Sequence, residues 1–211
     1  MNYKHLGQIP VELLAPIKDR IMNDPIYGSP LYKIIYLDKI TENYFIDLLF
    51  PKNFQTQDLK IHNVKVFVTP PEKLSTNGQI GCKYIHKDGV DKKCALNLVV
   101  NCNPNDWVRW YSDEEIFAKQ QGQEKLKLNP PQLNVALHSR DVLNISDIEP
   151  VPYIENVSNQ QVGDFYLVNT DVFHFFRNGG DNYRLIVQTK FAPNPSIEDL
   201  YARIQEVGLN F

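Results

Sequence analysis

Three polar side chains in this sequence have the types and the spacing to hold a ferrous ion. Ile85-His86-Lys87-Asp88 follows the apolar-alternating run Gln79-Ile80-Gly81-Cys82-Lys83-Tyr84, a pattern that predicts a strand. Successive side chains on a strand point to opposite faces, so His86 and Asp88 point one way and Lys87 the other. One imidazole beside one carboxylate is two thirds of the facial set that holds non-haem Fe(II). The third ligand has to come from elsewhere in the chain, and His174, 86 residues beyond Asp88, is the candidate.

The segment around His174 adds a second kind of group. Val172-Phe173-His174-Phe175-Phe176-Arg177-Asn178-Gly179-Gly180-Asp181-Asn182-Tyr183-Arg184 has the grammar of a β-hairpin, with Asn178-Gly179-Gly180 supplying residues that tolerate positive φ. With a three-residue loop, paired residue numbers sum to 358 and His174 sits opposite Arg184; with five residues they sum to 360 and the two are diagonal neighbours. Either register leaves imidazole and guanidinium on one face, roughly 5 to 8 Å apart at Cβ. A metal ligand beside an arginine is what a chelating dicarboxylate requires, because one end binds the metal and the far carboxylate meets a two-pronged donor. Each piece alone has an ordinary explanation: a chance His-x-Asp pair, a core histidine among aromatic residues, an arginine in a salt bridge. The joint spacing and chemistry point to an iron and 2-oxoacid site. His138, with Arg140 close by, is the rival third ligand, while His5 and His62 have no evident partners.

The elements that must position these groups are short. Residues 1–29 read as an irregular arm with a short helix, broken by Pro16, Pro25, Gly28 and Pro30. Leu31–Leu37 is predicted as a strand and Thr41–Phe50 as a helix with Thr41 as its N-cap. Strands follow at Ile61–Thr69, Gln79–His86, Lys92–Asn101 and Trp107–Tyr111. Asp113–Pro131 is a polar excursion, a solvated loop or a lid over substrate. Further short strands are predicted near Leu133–His138, Val151–Val157, Asp164–Val168, Val172–Arg177 and Tyr183–Phe191, and a helix capped by Ser196 runs to Gly208. Many short strands with helices at their flank predict a mainly β, double-sheet jelly roll: an N-terminal support over 1–59, a core over 60–195 and a C-terminal helix over 196–211, in one domain.

The bulk properties narrow the partners. A net charge of -3 argues against nonspecific nucleic-acid binding, which needs a basic face. No apolar run is long enough to span a bilayer and no signal-peptide core precedes residue 8, so a cytoplasmic protein is expected, with Cys82, Cys94 and Cys102 as reduced thiols. Their spacings of 12 and 8 match no zinc or redox pattern.

Taken with Ala95–Asn101, Trp110-Tyr111, Gly163-Asp164-Phe165 and Val187–Phe191, the His86-Lys87-Asp88, His174 and Arg184 set resembles the 2-oxoglutarate and Fe(II)-dependent oxygenase superfamily, over roughly residues 60 to 200. It looks most like small members from bacteriophages and marine bacteria. The resemblance implies a double-stranded β-helix, iron on His86, Asp88 and His174, and 2-oxoglutarate with its distal carboxylate on Arg184. It implies reaction with O2, loss of CO2 and succinate, and hydroxylation of a small-molecule or peptide substrate. Members often carry Ser or Thr two residues after the arginine; Ile186 stands there, so a helper hydroxyl has to come from elsewhere, with Tyr84 as the expected source. Halogenating relatives lack the carboxylate ligand, and Asp88 is present. Asn97, Trp110 and Phe176 are expected in the pocket wall, each with ordinary core packing as its alternative. Two rival functions remain open: a zinc hydrolase on the same ligands, and a non-catalytic jelly-roll binding module. The absence of His-x-His disfavours a cupin dioxygenase.

Overall fold

The computed structural model describes residues 1–25, 27–29, 33–71, 84–88, 93–116, 143–144 and 152–210. Alternating apolar runs give eleven strands among these residues: β1 (Tyr3–Gln8), β2 (Lys33–Tyr36), β3 (Lys60–Thr69), β4 (Tyr84–Ile85), β5 (Cys94–Asn101), β6 (Trp107–Tyr111), β7 (Leu143–Asn144), β8 (Tyr153–Ser158), β9 (Asp164–Asn169), β10 (His174–Arg177) and β11 (Arg184–Ala192). Three α-helices are described over their whole length, α1 (Ala15–Met22), α2 (Lys39–Leu49) and α3 (Ile197–Val207), and residues 113–116, at the start of the polar excursion, are helical as well. The expected strands over 79–83 and 133–138, and most of the polar excursion, lie outside the described residues.

All strand pairs among the described residues are antiparallel. A large sheet has the order β1-β9-β5-β11-β3-β2 and a small sheet the order β10-β6-β8, with β4-β7 joined to β10 through a bridge between His86 and His174. The sheets face each other, and each strand of the large sheet sorts its residues between two cores. Leu96, Leu98 and Val100 of β5 and Leu185 and Val187 of β11 pack outward against the helices with Ile17, Phe45 and Leu200. Ala95, Val99, Tyr166, Val168 and Ile186 point inward and meet Val108 and Trp110 of the small sheet. This is the jelly roll that the strand pattern predicted, a sandwich whose inner face is free to carry a site.

Four local expectations are corrected. The N-terminal arm is not irregular: Tyr3–Gln8 pairs with β9, so the large sheet is wider than the strand signals suggested. The cap of α2 is Asp38, whose carboxylate accepts from Thr41 N at 2.9 Å; Asp38 begins the helix three residues earlier than a Thr41 cap would. The segments around His174 and Arg184 do not pair as a hairpin. β10 pairs with β6 in the small sheet and β11 with β3 and β5 in the large one, so both registers proposed above fail. The two segments connect the sheets instead of lying side by side. Gly179 and Gly180 are also not among the residues at positive φ. They are glycines because a Cβ at Gly179 would lie 2.2 Å from Asn105 O, and one at Gly180 would lie 2.3 Å from Asn103 Cγ.

Candidate metal centre

His86 leaves β4 through two reciprocal backbone bonds with His174: His86 N donates to His174 O at 3.0 Å and His174 N to His86 O at 2.9 Å. The two imidazoles therefore start from one rung of the small sheet, and their ring centres are 4.7 Å apart. Two residues on, Asp88 N donates to Thr170 O at 3.0 Å, which fixes the carboxylate beside the rings. Side-chain ligand atoms of His86, Asp88 and His174 all lie within 4.8 Å of one another. Lys87 points away as strand alternation requires, its ammonium beside Asp113 at 2.6 Å and over the Phe173 ring. Behind it Ile85, Tyr111, Ile116, Phe173 and Phe175 form an apolar cluster that backs the site.

Each donor is held in a usable form. His174 is 12% exposed, and its Nδ1 lies 2.9 Å from Val172 O, so Nδ1–H donates to that carbonyl and Nε2 carries the free lone pair. Burial, and then the neighbouring His86, push its pKa down to about 4, against the opposing pull of Asp88, so the ring is neutral near pH 7. The Nε2 atoms of His86 and His174 lie 3.6 and 3.7 Å from Asp88 Oδ1. Asp88 Oδ2 accepts from Lys190 Nζ at 2.9 Å. Burial pushes the Asp88 carboxyl up, but the Lys190 charge and the two imidazoles outweigh it and hold the group well below the usual carboxylate range. Lys190 was not anticipated from the sequence. The signal was there in its parity, since it shares the inward face of β11 with Arg184.

That inward face is the axis of the interior. Arg184, Ile186, Gln188 and Lys190 alternate with outward residues along β11. Arg184 is 3% exposed and pairs across the sheet with Thr69. Its Nη2 donates to Gln160 Oε1 at 3.1 Å, its Nε lies 3.7 Å from Asp106 Oδ2, and its guanidinium lies over the Phe176 ring at 5.0 Å. Asp106 is already committed, accepting from Asn103 N and Gly179 N. Around this arginine, three groups able to donate have no hydrogen-bond partner among the described residues: Arg184 Nε, Gln160 Nε2 and Thr69 Oγ1.

The other expected site residues distribute as follows. Asn97 faces the interior on β5, and its Oδ1 has no hydrogen-bond partner among the described residues. Trp110 is fully buried and is His174's partner across β6 and β10, with its indole donating to Asn169 O at 3.0 Å, so it is a core wall behind the site. Phe176 supports Arg184. Tyr84 contributes backbone pairing to β4; its side chain, like His138 and Arg140, lies outside the description. His5 sits at the far edge of the large sheet beside Asp164, remote in topology from the cluster.

No family model and no curated protein matches the chain. Solved structures do. HygX from Streptomyces hygroscopicus with nickel and 2-oxoglutarate bound aligns with TM-score 0.52 and 14% identity over 91% of this chain and 82% of that one. The iron-bound HygX structure aligns with TM-score 0.51 and 10% identity over 91% and 82%. EvdMO1 aligns with TM-score 0.53 and 14% identity over 92% of this chain, which spans about half (48%) of that longer protein. The likeness is one of fold. No helix among the described residues is long and apolar enough to cross a membrane.

Proposed function

We propose that this chain is a non-haem Fe(II) enzyme that uses 2-oxoglutarate and O2 to hydroxylate a small-molecule or peptide substrate. The observation that carries this reading is the convergence of His86, Asp88 and His174 within 4.8 Å, with both imidazole Nε2 atoms turned to the same carboxylate oxygen. Two imidazoles and one carboxylate are the donor set of a facial Fe(II) site, and they leave the opposite face for other ligands. When bound, the iron supplies the oxidising chemistry, coupled to conversion of 2-oxoglutarate to succinate and CO2.

The chain's own residues orient and bind. The Val172 carbonyl fixes the tautomer of His174, and Lys190 takes one oxygen of Asp88 so that the other faces the metal position. Arg184, Thr69 and Gln160 bring together donors that make no hydrogen bond among the described residues, which suits the distal carboxylate of the cosubstrate even with Asp106 3.7 Å from Arg184 Nε. In this reading Thr69, across the sheet from Arg184, is the helper hydroxyl that Ile186 cannot supply. Ile186 lies between the arginine and Lys190 on the same face and gives the methylenes an apolar wall.

The test is anaerobic addition of Fe(II) and then 2-oxoglutarate to metal-free protein. A visible charge-transfer band is expected, weakened or lost in Arg184→Leu. A protein that takes up neither iron nor 2-oxoglutarate overturns the reading.

A further inference from the structure

The inward face of the large sheet carries a second row of unpaired polar atoms that the iron and cosubstrate do not use. Gln188 of β11 pairs across the sheet with Asn97 of β5, and Asn97 with Tyr166 of β9, so the three side chains lie in one row on one face. Gln188 is 6% and Tyr166 1% exposed. Gln188 Oε1, Asn97 Oδ1 and Tyr166 Oη are buried and have no hydrogen-bond partner among the described residues. Buried polar atoms left unpaired carry their full desolvation penalty, and native interiors leave few of them. Three in register are a built feature of the sheet.

The row borders the metal centre from two directions. Gln188 precedes Lys190 by one inward step on β11, and Lys190 Nζ is 2.9 Å from Asp88. At the other end the Tyr166 ring packs on Tyr3 at 5.1 Å, Tyr3 on Trp110 at 6.3 Å, and Trp110 is His174's cross-strand partner. The row runs from β11 towards β9, away from Arg184, which is four residues or about 13 Å from Gln188 along the strand. Lys65, which continues the row on β3, turns its ammonium over the Phe67 ring.

We propose that this row binds the substrate, and that the substrate is a neutral polyhydroxylated molecule of the sugar or cyclitol class. This rests on the iron and 2-oxoglutarate reading above for the reaction, while the binding chemistry stands on the row itself. Asn97 and Gln188 present either an acceptor or a donor according to how the amide is turned, and a phenol does both. A hydroxyl also donates and accepts, so it satisfies every arrangement of the three. With the amides turned as the structure has them, carbonyl oxygen inward, a carboxylate only accepts and leaves both oxygens unpaired, and an alkyl chain leaves all three unpaired. Hydroxyls can also replace water at such positions oxygen for oxygen, with no loss of hydrogen bonds.

Calorimetric titration of the chain with a panel of neutral polyols, among them myo-inositol and methyl glucoside, tests this against cyclohexanol as an apolar comparator of similar size. At least one polyol is expected to bind at least tenfold more tightly than cyclohexanol. Gln188→Leu is expected to weaken that polyol about tenfold, and Tyr166→Phe, which removes a single oxygen and keeps the packing, about five- to tenfold. Polyols that bind no better than cyclohexanol, or binding unchanged in Tyr166→Phe, overturn the proposal. The charge-transfer band reports separately on the underlying reading: a normal band without polyol preference overturns the substrate class alone, and polyol binding without a band overturns the oxygenase reading alone.

Discussion

Lys190 Nζ lies 2.9 Å from Asp88 Oδ2, while Oδ1 of the same carboxylate faces both imidazoles. The Lys190 side chain is 7% exposed, so it is a cation placed in the interior to serve one anion beside a metal position. Replacing it in Lys190→Met leaves Asp88 charged and without its partner. Breaking a fully enclosed pair costs about 3–5 kcal/mol; with Asp88 20% exposed, a loss of about 2 kcal/mol is expected for the metal-free protein. A divalent ion restores the missing positive charge, so it should stabilise the variant more than the wild type. Thermal unfolding with and without Co(II) measures this. Equal metal-induced shifts in the two proteins would count against an electrostatic role for Lys190.

The neutral state of His174 has a consequence for stability. Its folded pKa is about 4 and the unfolded value is near 6.5, so on acidification the unfolded chain takes the proton first. The stability conferred by the neutral ring is therefore complete above pH 6.5 and is lost as pH falls from 6.5 towards 4. With the side chain 12% exposed, the loss across the whole window is on the order of 3 kcal/mol. Denaturant unfolding of metal-free protein at pH 7 and pH 5 should show this slope, and His174→Asn should flatten it. A slope unchanged in the variant would assign the acid sensitivity to another group.

Arg184 and Thr69 make a separable prediction about the cosubstrate. If their donors serve the distal carboxylate, Thr69→Val should weaken 2-oxoglutarate about ten- to hundredfold, the scale of one hydrogen bond to a charged group. 2-Oxobutyrate has the same chelating end and no distal carboxylate, so Thr69→Val should leave its affinity unchanged. Titrating the charge-transfer band with each 2-oxoacid compares them. Equal weakening of both would place the damage at the metal end.

How far the site could be read from the chain follows from how its parts are encoded. His86 and Asp88 are joined by strand alternation, a local rule, and the structure brings them together with His174. His174 and Arg184 were associated through a hairpin that does not exist. Turn residues such as Asn178-Gly179-Gly180 mark a reversal, but they do not say whether the returning strand rejoins the same sheet or crosses to the opposite one. Here Gly179 and Gly180 serve close packing against Asn103 and Asn105, a tertiary demand invisible in local sequence. Asn97 is expected in the pocket wall from the sequence, but Lys190, Thr69 and Asn97's row partners Gln188 and Tyr166 are not, because cross-strand pairing is set by register between distant segments. The strand β1 was missed for the same reason: Tyr3–Gln8 has little strand character alone and is fixed by β9.

The identity of the third ligand gives the most direct comparison. His174 offers Nε2 to the site because its Nδ1–H is engaged by Val172 O and its backbone is locked to His86 by two hydrogen bonds. His174→Ala removes one of three donors without disturbing those backbone bonds, so the chain should still fold while iron affinity falls at least tenfold, as expected for loss of a primary ligand when outer-shell changes alone cost 10–100-fold. His138→Ala removes the rival candidate and should leave affinity within about twofold of wild type. Competition for Fe(II) against a chromophoric chelator ranks the two variants. The reverse order, with His138→Ala the weaker binder, would transfer the third coordination position to His138 and leave His174 as a core histidine of the small sheet.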